Sequence, residues 1–288
     1  MTKRKPKSEK AKSLSRRPET FRRLVGITPE IFFKLCEQIR PLYNEAEKKR
    51  LLGIQSKRIM ALSIDGQYKL SVEDRVLMLL MYYRLYVTHV FLGFLFGISD
   101  SNVSRNINPI QPLLARFFKI PERKVEINEE EVAAMFLDGT EQPINRPKGK
   151  NQKNWYSGKK KRHTIKHQII ANKKGKILAV GKSSCGKLHD KKDYERQRFI
   201  LPKGVPKKAD MGYIGTSWQT PIKKPKGGSL SEQDKLFNRA FSKERIIIEH
   251  VIGKMKIFKI LAERFRNRRE KHMMIFKNIA GLYNMAFA

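Results

Sequence analysis

The spacing of apolar residues changes near Val132, and this change constrains the fold more than any other feature of the sequence. Upstream, apolar side chains recur at helical intervals, as in Ile31, Leu35 and Ile39. Downstream, short apolar runs with β-branched residues predict strands at residues 132–137, 163–171, 177–181 and 207–210, with helices at 190–200 and 242–260. The sequence therefore predicts an α+β protein, with an N-terminal helical lobe followed by a mixed β-sheet flanked by helices.

Three segments follow from this division. Residues 1–22 form a basic arm with Pro and Ser and little to bury, so we expect it to be disordered. Residues 23–128 form the helical domain, which ends in a linker at 119–128, and residues 129–288 form the domain that contains the sheet. At 288 residues and 40% apolar composition, the chain can bury a real core in each domain.

The helical domain contains a pattern typical of a helix-turn-helix. A helix begins after Ser71, a short apolar helix spans residues 88–96, and a turn at 97–99 leads into a helix that starts at Asp100. Polar side chains of Ser101, Asn102 and Arg105 lie on the first turns of that last helix, where a recognition helix contacts base edges. An ordinary helical hairpin is the alternative, and we expect Pro109 and Pro112 to limit the straight helix.

The charge of the chain predicts a polyanionic partner. Lys and Arg number 62 against 27 Asp and Glu, which gives a formal net charge of +35. Such a surface binds nucleic-acid backbones by releasing counterions, although a solvated charge coat of ribosomal type would have the same composition. The most apolar region, residues 76–98, is interrupted by Arg84 and His89, so we expect no membrane span. Cys36 and Cys185 are far apart and predict neither a zinc site nor a disulfide.

Three carboxylates, Asp138, Asp210 and Glu249, follow one another at intervals of 72 and 39 residues. Asp138 and Asp210 each lie at the end of a predicted strand, next to Gly139 in one case and just before Gly212 in the other. Separated carboxylates on a basic chain suggest a phosphoryl-transfer site that holds two Mg²⁺ or Mn²⁺ ions about 4 Å apart. Asp-Gly pairs are also ordinary turn residues, so the prediction depends on all three residues together.

Basic side chains accompany this candidate site. At 100° per residue, Arg245, Glu249 and Lys256 share one face of a helix, from which Glu249 can reach metal while the two cations reach phosphate. A solvated Arg–Glu pair is the alternative. The run Lys159, Lys160, Lys161 and Arg162 is expected to follow the DNA backbone, or else to form a solvated hairpin loop.

Histidine and aromatic residues precede and follow this run. His163 and His167 share one strand face, but they lack a third ligand at metal spacing, so packing or phosphate contact is favoured over zinc. Trp155 and Tyr156 could stack on an unpaired base, and packing within the hairpin explains them equally well.

Together these motifs resemble the DDE transposases of bacterial insertion sequences, of the IS-five type that is related to eukaryotic Harbinger transposases and nucleases. The resemblance spans nearly the whole chain, through the strings LDGTEQPINRP, YSGKKKRHTIKHQIIAN, CGKLHDKKDYE, LPKGVPKKADMGYIG and RIIIEHVIGKMK. It implies an RNase H-like fold in residues 129–288, a DNA-binding role for residues 23–128, and Asp138, Asp210 and Glu249 as the catalytic, metal-binding triad.

The resemblance also matches Arg245 and Lys256 to the basic residues that flank the glutamate in related transposases. A tyrosine expected three residues before Arg245 is absent, because Ser242 stands there. Asp190 competes for the second place in the triad, but it begins a predicted helix, where capping already explains an acidic residue.

The resemblance implies a transposase that binds the terminal inverted repeats of its own element. With Mg²⁺ or Mn²⁺ it would cleave a phosphodiester bond at the element end and join the freed 3′-OH to target DNA. Its expected partners are double-stranded DNA and further copies of the chain, and its expected location is the bacterial cytoplasm, associated with the nucleoid. A related nuclease that cuts without joining, and a sequence-specific DNA-binding protein that does not cut, remain the alternatives.

Overall fold

A computed structural model describes residues 9–53, 70–125 and 133–287, and the chain divides into two compact units. The first unit runs to Lys119 and includes Phe258–Ile260, and the second contains the remainder. The boundary therefore lies at residue 119 rather than at 128. The reason is that the segment after Lys119 belongs to the sheet unit: Lys124 forms a β-bridge with Ile200, and Val125 is buried in the core of that unit.

Helices build the first unit. In chain order they are α1 (Lys10–Ser15), α2 (Pro18–Val25), α3 (Pro29–Gly53), α4 (Val72–Leu85), α5 (His89–Phe96) and α6 (Asp100–Phe118). The helix predicted after Ser71 is confirmed, since the Ser71 hydroxyl accepts a hydrogen bond from the backbone N–H of Asp74 at 3.1 Å and caps α4.

The prediction of a disordered N-terminal arm is wrong for residues 10–22, which lie in α1 and α2; residues 1–8 lie outside the described residues. Phe21 and Val25 are fully buried, so one apolar side of α2 packs on the unit while its basic residues remain at the surface. The backbone N–H of Ala11 donates to the buried carboxylate of Asp74 at 2.8 Å. These tertiary contacts offset the low apolar content that had indicated disorder.

The helix-turn-helix order is confirmed. Gly97 ends α5 with a φ of 65°, and the Ser99 hydroxyl caps α6 by accepting from the backbone N–H of Asn102 at 3.3 Å. Helix α6 continues through Pro109 and Pro112 to Phe118, further than expected. Both prolines are exposed, so water can satisfy the carbonyl groups that they leave without a helical donor, while the opposite side of the helix is buried.

The second unit contains a sheet whose described strands are β1 (Met135–Pro143), β2 (Tyr156–Ser157), β3 (Arg162–Asn172), β4 (Ile177–Val180), β5 (Ser184–Cys185) and β6 (Lys207–Ala209). The order is β2-β3-β1-β6, and β4 and β5 also pair with β3. Strand β1 is antiparallel to β3 and parallel to β6, which confirms the mixed sheet. The first predicted strand begins at Met135 and continues past residue 137 to Pro143, so Asp138 lies within the strand rather than at its end; residues 126–132 lie outside the described residues.

Helices flank the sheet, as predicted. They are α7 (Asp190–Gln197), α8 (Glu232–Met255) and α10 (His272–Phe287), whereas the short α9 (Lys259–Ala262) has its first two residues in the first unit. Helix α8 begins ten residues before the predicted start, because Ser231 and Asp234 form a complete capping box there. Its buried residues Ile248, Val251 and Met255 form the apolar stripe that anchors the helix.

Within the described residues, no helix is long and apolar enough to cross a membrane.

Candidate active site

Asp138 lies on β1, where the strand is flanked by β3 on one side and β6 on the other. Its carboxylate is only 19% exposed and accepts a hydrogen bond from the backbone N–H of Gly139 at 2.7 Å. Burial, together with the nearby carboxylate of Asp210, raises the pKa of Asp138 from 3.8 to about 6, although Gly139 and Arg245 act in the opposite direction. A buried carboxyl group beside a second carboxylate is a position at which a bound cation would stabilise the ionised form.

Arg245 and Glu249 reach Asp138 from α8. The guanidinium of Arg245 contacts Asp138 Oδ2 at 3.4 Å and also forms a close ion pair with Glu249 one helical turn further on. Arg245 and Glu249 therefore lie on one side of α8, and Arg245 faces Asp138. The side chain of Glu249 remains half exposed and can still meet a ligand.

Asp210 follows β6 directly and caps a short 3-10 helix by accepting from the backbone N–H of Gly212 at 2.8 Å. A β-carbon on Gly212 would lie 2.9 Å from Asp210 Oδ1 and 3.3 Å from Asp190 Oδ2. The two carboxylates are therefore neighbours across Gly212. Asp190, which the sequence explained as a helix-capping residue, belongs to the same acidic group.

A buried lysine orients Asp190. Lys166 Nζ lies 3.1 Å from Asp190 Oδ1 and 3.1 Å from Glu141 Oε1, and it donates to the carbonyl oxygen of Leu188 at 2.8 Å. Burial alone would lower the pKa of Lys166, but the two carboxylates outweigh it and raise the pKa. All three ammonium protons have acceptors, so Asp190 Oδ1 is fixed and Oδ2 is left on the side of Gly212.

Tyr213 was not foreseen as a site residue. Its hydroxyl is buried and has no hydrogen-bond partner among the described residues, and it would lie 3.4 Å from a β-carbon on Gly139. Burial raises its pKa well above 10, and the charges of Asp190, Asp138 and Asp210 raise it further. Asp210 and Tyr213 are three residues apart, and this short spacing was the only sequence signal that could have pointed to the tyrosine.

The remaining residues that were predicted to bind DNA lie partly in the sheet unit and partly in the helical unit. Lys256 ends α8, and its pKa is lowered by burial and then by the charge of Lys160, which places the hairpin lysine near it. Lys159 and Lys161 lie beside Lys160 in the exposed turn between β2 and β3, and Arg162 is the exposed first residue of β3. Ser101, Asn102 and Arg105 are exposed on the first turns of α6 in the other unit, where Arg105 donates to Asn102 Oδ1 at 3.2 Å.

The packing interpretation of His167 is confirmed. His167 is buried, stacks on Phe276 with 4.2 Å between ring centroids, and contacts the carbonyl oxygen of Gly181 at 3.0 Å through Nδ1. Burial lowers its pKa from 6.5 to about 4. His163 instead packs edge-on against Tyr156.

The donor set fits a hard divalent cation. Carboxylate oxygens are the ligands that Mg²⁺ and Mn²⁺ prefer, and Asp138, whose pKa is raised mainly by burial, lies near the carboxylate of Asp210. Across residues 9–53, 70–125 and 133–287, no three His, Cys, Asp or Glu side chains already stand at coordinating distance from one point. Arg245 accounts for part of this, because it holds Glu249 and Asp138 as ion pairs.

A helix-turn-helix unit and a mixed sheet with acidic residues grouped beside β1 and β6 are features of a nucleic-acid-processing enzyme of the DDE class. Comparison with known families agrees. The sequence model described as "DDE superfamily endonuclease" matches residues 137–284, more than half of the chain, and the model "Helix-turn-helix of DDE superfamily endonuclease" matches residues 68–119. The chain belongs to the DDE superfamily of endonucleases, in the group that includes insertion-sequence transposases.

Two relatives are similar over nearly their whole length. The "Probable transposase for insertion sequence element IS702" of Microchaete diplosiphon is 34% identical, over 98% of this chain and 99% of that protein. The "Putative transposase for insertion sequence element IS112" of Streptomyces albus G is 28% identical, over 91% of this chain and 92% of that protein. No solved structure gives a significant match.

Proposed function

We propose that this chain is a DNA transposase that binds the terminal inverted repeats of its own insertion sequence, cleaves a strand at each end and joins the freed 3′-OH to target DNA. The observation that carries the proposal is the acidic group of Asp138, Asp190 and Asp210 beside Arg245 and Glu249, in a chain with a net charge of +35. An acidic centre in a strongly basic protein suits a substrate whose charge the surrounding surface neutralises.

Asp138, Asp210 and Glu249 would hold two Mg²⁺ or Mn²⁺ ions, and Asp190 would add a fourth carboxylate. When bound, such ions lower the pKa of an attacking water and stabilise the charge on the leaving oxygen. Binding a cation would stabilise the ionised form of Asp138 and so oppose the burial that raises its pKa. Lys166 would hold Asp190 in a fixed orientation, since it donates to Oδ1 at 3.1 Å.

Arg245 would exchange partners when DNA arrives. In the free protein the guanidinium of Arg245 forms ion pairs with Asp138 and Glu249. When Arg245 binds a phosphate oxygen instead, both carboxylates become available to bind metal. A guanidinium binds phosphate with two parallel hydrogen bonds, which makes Arg245 well suited to hold the phosphate that is attacked. Lys256 and Lys160 would add charge on the same side.

The first unit would supply end recognition. Helix α6 presents Ser101, Asn102 and Arg105 at its exposed N-terminal turns, the position from which a recognition helix contacts base edges in the major groove. The hairpin Lys159–Arg162 would follow the phosphate backbone. The proposal further includes a homo-oligomeric complex that brings two element ends together, in the bacterial cytoplasm with the nucleoid.

The test measures strand cleavage and strand joining separately on labelled element ends, with Mg²⁺, with Mn²⁺ and with EDTA. Changing Asp138, Asp190, Asp210 or Glu249 to the corresponding amide should abolish both reactions and leave DNA binding intact, because removing negative charge cannot weaken attraction to phosphate. Glu244→Gln is the matched control, since Glu244 lies on the same helix but pairs with Lys208. It should retain activity.

Two outcomes would replace the proposal, and a third would revise the assigned triad. Cleavage without joining would identify a nuclease, and binding without cleavage under any metal condition would identify a sequence-specific DNA-binding protein. Full activity of Asp210→Asn together with loss in Asp190→Asn would move the second member of the triad to Asp190.

A further inference from the structure

A cavity lies in the sheet unit, apart from the acidic group, and the proposed chemistry does not use it. It measures about 470 Å³, within the range of ligand sites, and its walls include Lys148, Lys150, Asn151, Trp155, Arg269 and Glu270. Its floor includes Ile165 of β3. The combination of an aromatic ring, three cations, an amide and a carboxylate around one cavity suggests a ligand with both a flat face and polar edges.

Trp155 and Arg269 form the flat wall. The guanidinium carbon of Arg269 lies 4.6 Å from the centroid of the Trp155 ring, as expected for a cation–π stack. Trp155 ends a short 3-10 helix, Lys150–Trp155, and the next residue, Tyr156, pairs with β3, so the ring is anchored next to the sheet. Indole and guanidinium planes are the two surfaces on which proteins most often stack unpaired bases.

The polar groups favour a base over a phosphate in this cavity. A phosphate group gains nothing from the Trp155 ring and would be repelled by the Glu270 carboxylate. A base stacks on the ring, and its edges offer donors to Glu270 and both donors and acceptors to the Asn151 amide. Lys148 and Lys150 then remain for the phosphates on either side of that base.

The cavity lies along the same strands as the acidic group. Ile165 is paired with Gln142 of β1, four residues from Asp138 on the same strand, which corresponds to about 13 Å. A DNA strand that places a phosphodiester at Asp138 therefore has nucleotides within reach of the cavity.

We propose that the cavity of Trp155 and Arg269 binds a nucleobase that is unpaired or displaced from the duplex close to the cleaved end. This inference rests on the proposed function, since it supposes a DNA substrate. Displacing a base costs stacking energy, and the cost is smallest when the base is already unpaired. The protein should therefore bind DNA with unpaired nucleotides more tightly than the same duplex with blunt ends.

The chain contains a direct reporter of this contact. It has two tryptophans, of which Trp218 is buried in the core of the sheet unit and Trp155 is partly exposed at the cavity. A base stacked on Trp155 should quench its fluorescence and leave that of Trp218 unchanged. The experiment uses the full chain in EDTA, with a blunt duplex and the same duplex carrying a four-thymidine 3′ overhang.

We expect the overhang to quench fluorescence and to bind at least about fivefold more tightly than the blunt duplex, as stacking of one base provides. Trp155→Phe should abolish the quenching, and Trp155→Ala should remove the preference for the overhang. Lys153→Ala is the matched control: Lys153 is exposed on the same 3-10 helix, and its loss should weaken binding to both DNAs equally.

Equal affinity for the two DNAs without quenching overturns the inference, as does a Trp155→Ala variant that weakens both equally. Neither result contradicts the proposed function. That function is contradicted by a different result, namely that the wild-type protein does not cleave end DNA in the presence of metal. If the overhang quenches the fluorescence of a protein that does not cleave DNA, base binding in the cavity would be supported and the proposed transposase function would be contradicted.

Discussion

Replacing Asp138 with Asn should stabilise the metal-free protein while it removes activity. Burial and Asp210 raise the pKa of this carboxyl from 3.8 to about 6, and the difference of about two pKa units corresponds to about 3 kcal/mol. The folded protein holds this proton more tightly than the unfolded chain. Stability is therefore lost as pH rises from about 4 to about 6, and the full cost remains at higher pH. Asparagine carries no charge and avoids that cost.

Urea unfolding in EDTA measures this effect, followed by tryptophan fluorescence because both tryptophans lie in the sheet unit. The advantage of Asp138→Asn should be about 3 kcal/mol at pH 8 and about 1 kcal/mol at pH 4.5. Glu232→Gln, whose side chain is 84% exposed at the start of α8, should differ from wild type by less than about 0.5 kcal/mol.

Adding Mn²⁺ at pH 8 should stabilise the wild type and leave Asp138→Asn almost unchanged, because only the carboxylate site binds the ion. An Asn variant that is less stable than wild type at pH 8 without metal would refute the reasoning. So would an advantage that does not change with pH.

Three further predictions concern the rest of the molecule. Arg105→Ala should weaken binding to the element end by about 1–3 kcal/mol and binding to random duplex much less, as measured by fluorescence anisotropy; equal losses would reassign Arg105 to a phosphate contact. Burial lowers the pKa of His167 to about 4, so the contribution of this residue to the free energy of unfolding is fully present above pH 6.5. As pH falls towards 4, up to about 3 kcal/mol of this contribution is lost. The difference in unfolding free energy between wild type and His167→Phe should therefore decrease over this pH range. A β-carbon on Gly186 would lie 2.0 Å from Thr164 Oγ1, so Gly186→Ala should cost more than about 2 kcal/mol in urea unfolding, whereas Gly158→Ala, which meets open space, should cost little.

Local signals in the sequence predicted the elements that local interactions determine. The helix after Ser71 and the helix after Ser99 both begin where a hydroxyl caps the first turn, and such a cap depends on residues three apart. The strand at 163–171 was predicted from its β-branched residues, and β3 spans Arg162–Asn172. Asp210 lies directly after a strand, close to the predicted strand end, whereas Asp138 lies within β1, because pairing with β3 extends that strand to Pro143.

Long-range contacts decided the features that were missed. Phe21 and Val25 are buried by other helices of the first unit, which no count of basic residues in the arm could reveal. Asp190 belongs to the acidic group because it is held by Lys166, 24 residues away along the chain, and not because of its own helix. The buried hydroxyl of Tyr213 likewise depends on how the loop after β6 packs against Gly139.

The measurement that tests the central claim most directly is a metal-specificity switch at Asp138. Sulfur binds Mg²⁺ poorly and accepts softer metals such as Mn²⁺, so Asp138→Cys should lose cleavage of end DNA in Mg²⁺ and regain a measurable part of it in Mn²⁺. Glu244→Cys, on the helix that carries Glu249, should cut in both metals. A folded, DNA-binding Asp138→Cys protein that is equally active in both metals, or equally inactive in both, would contradict a role for Asp138 as a metal ligand in DNA cleavage.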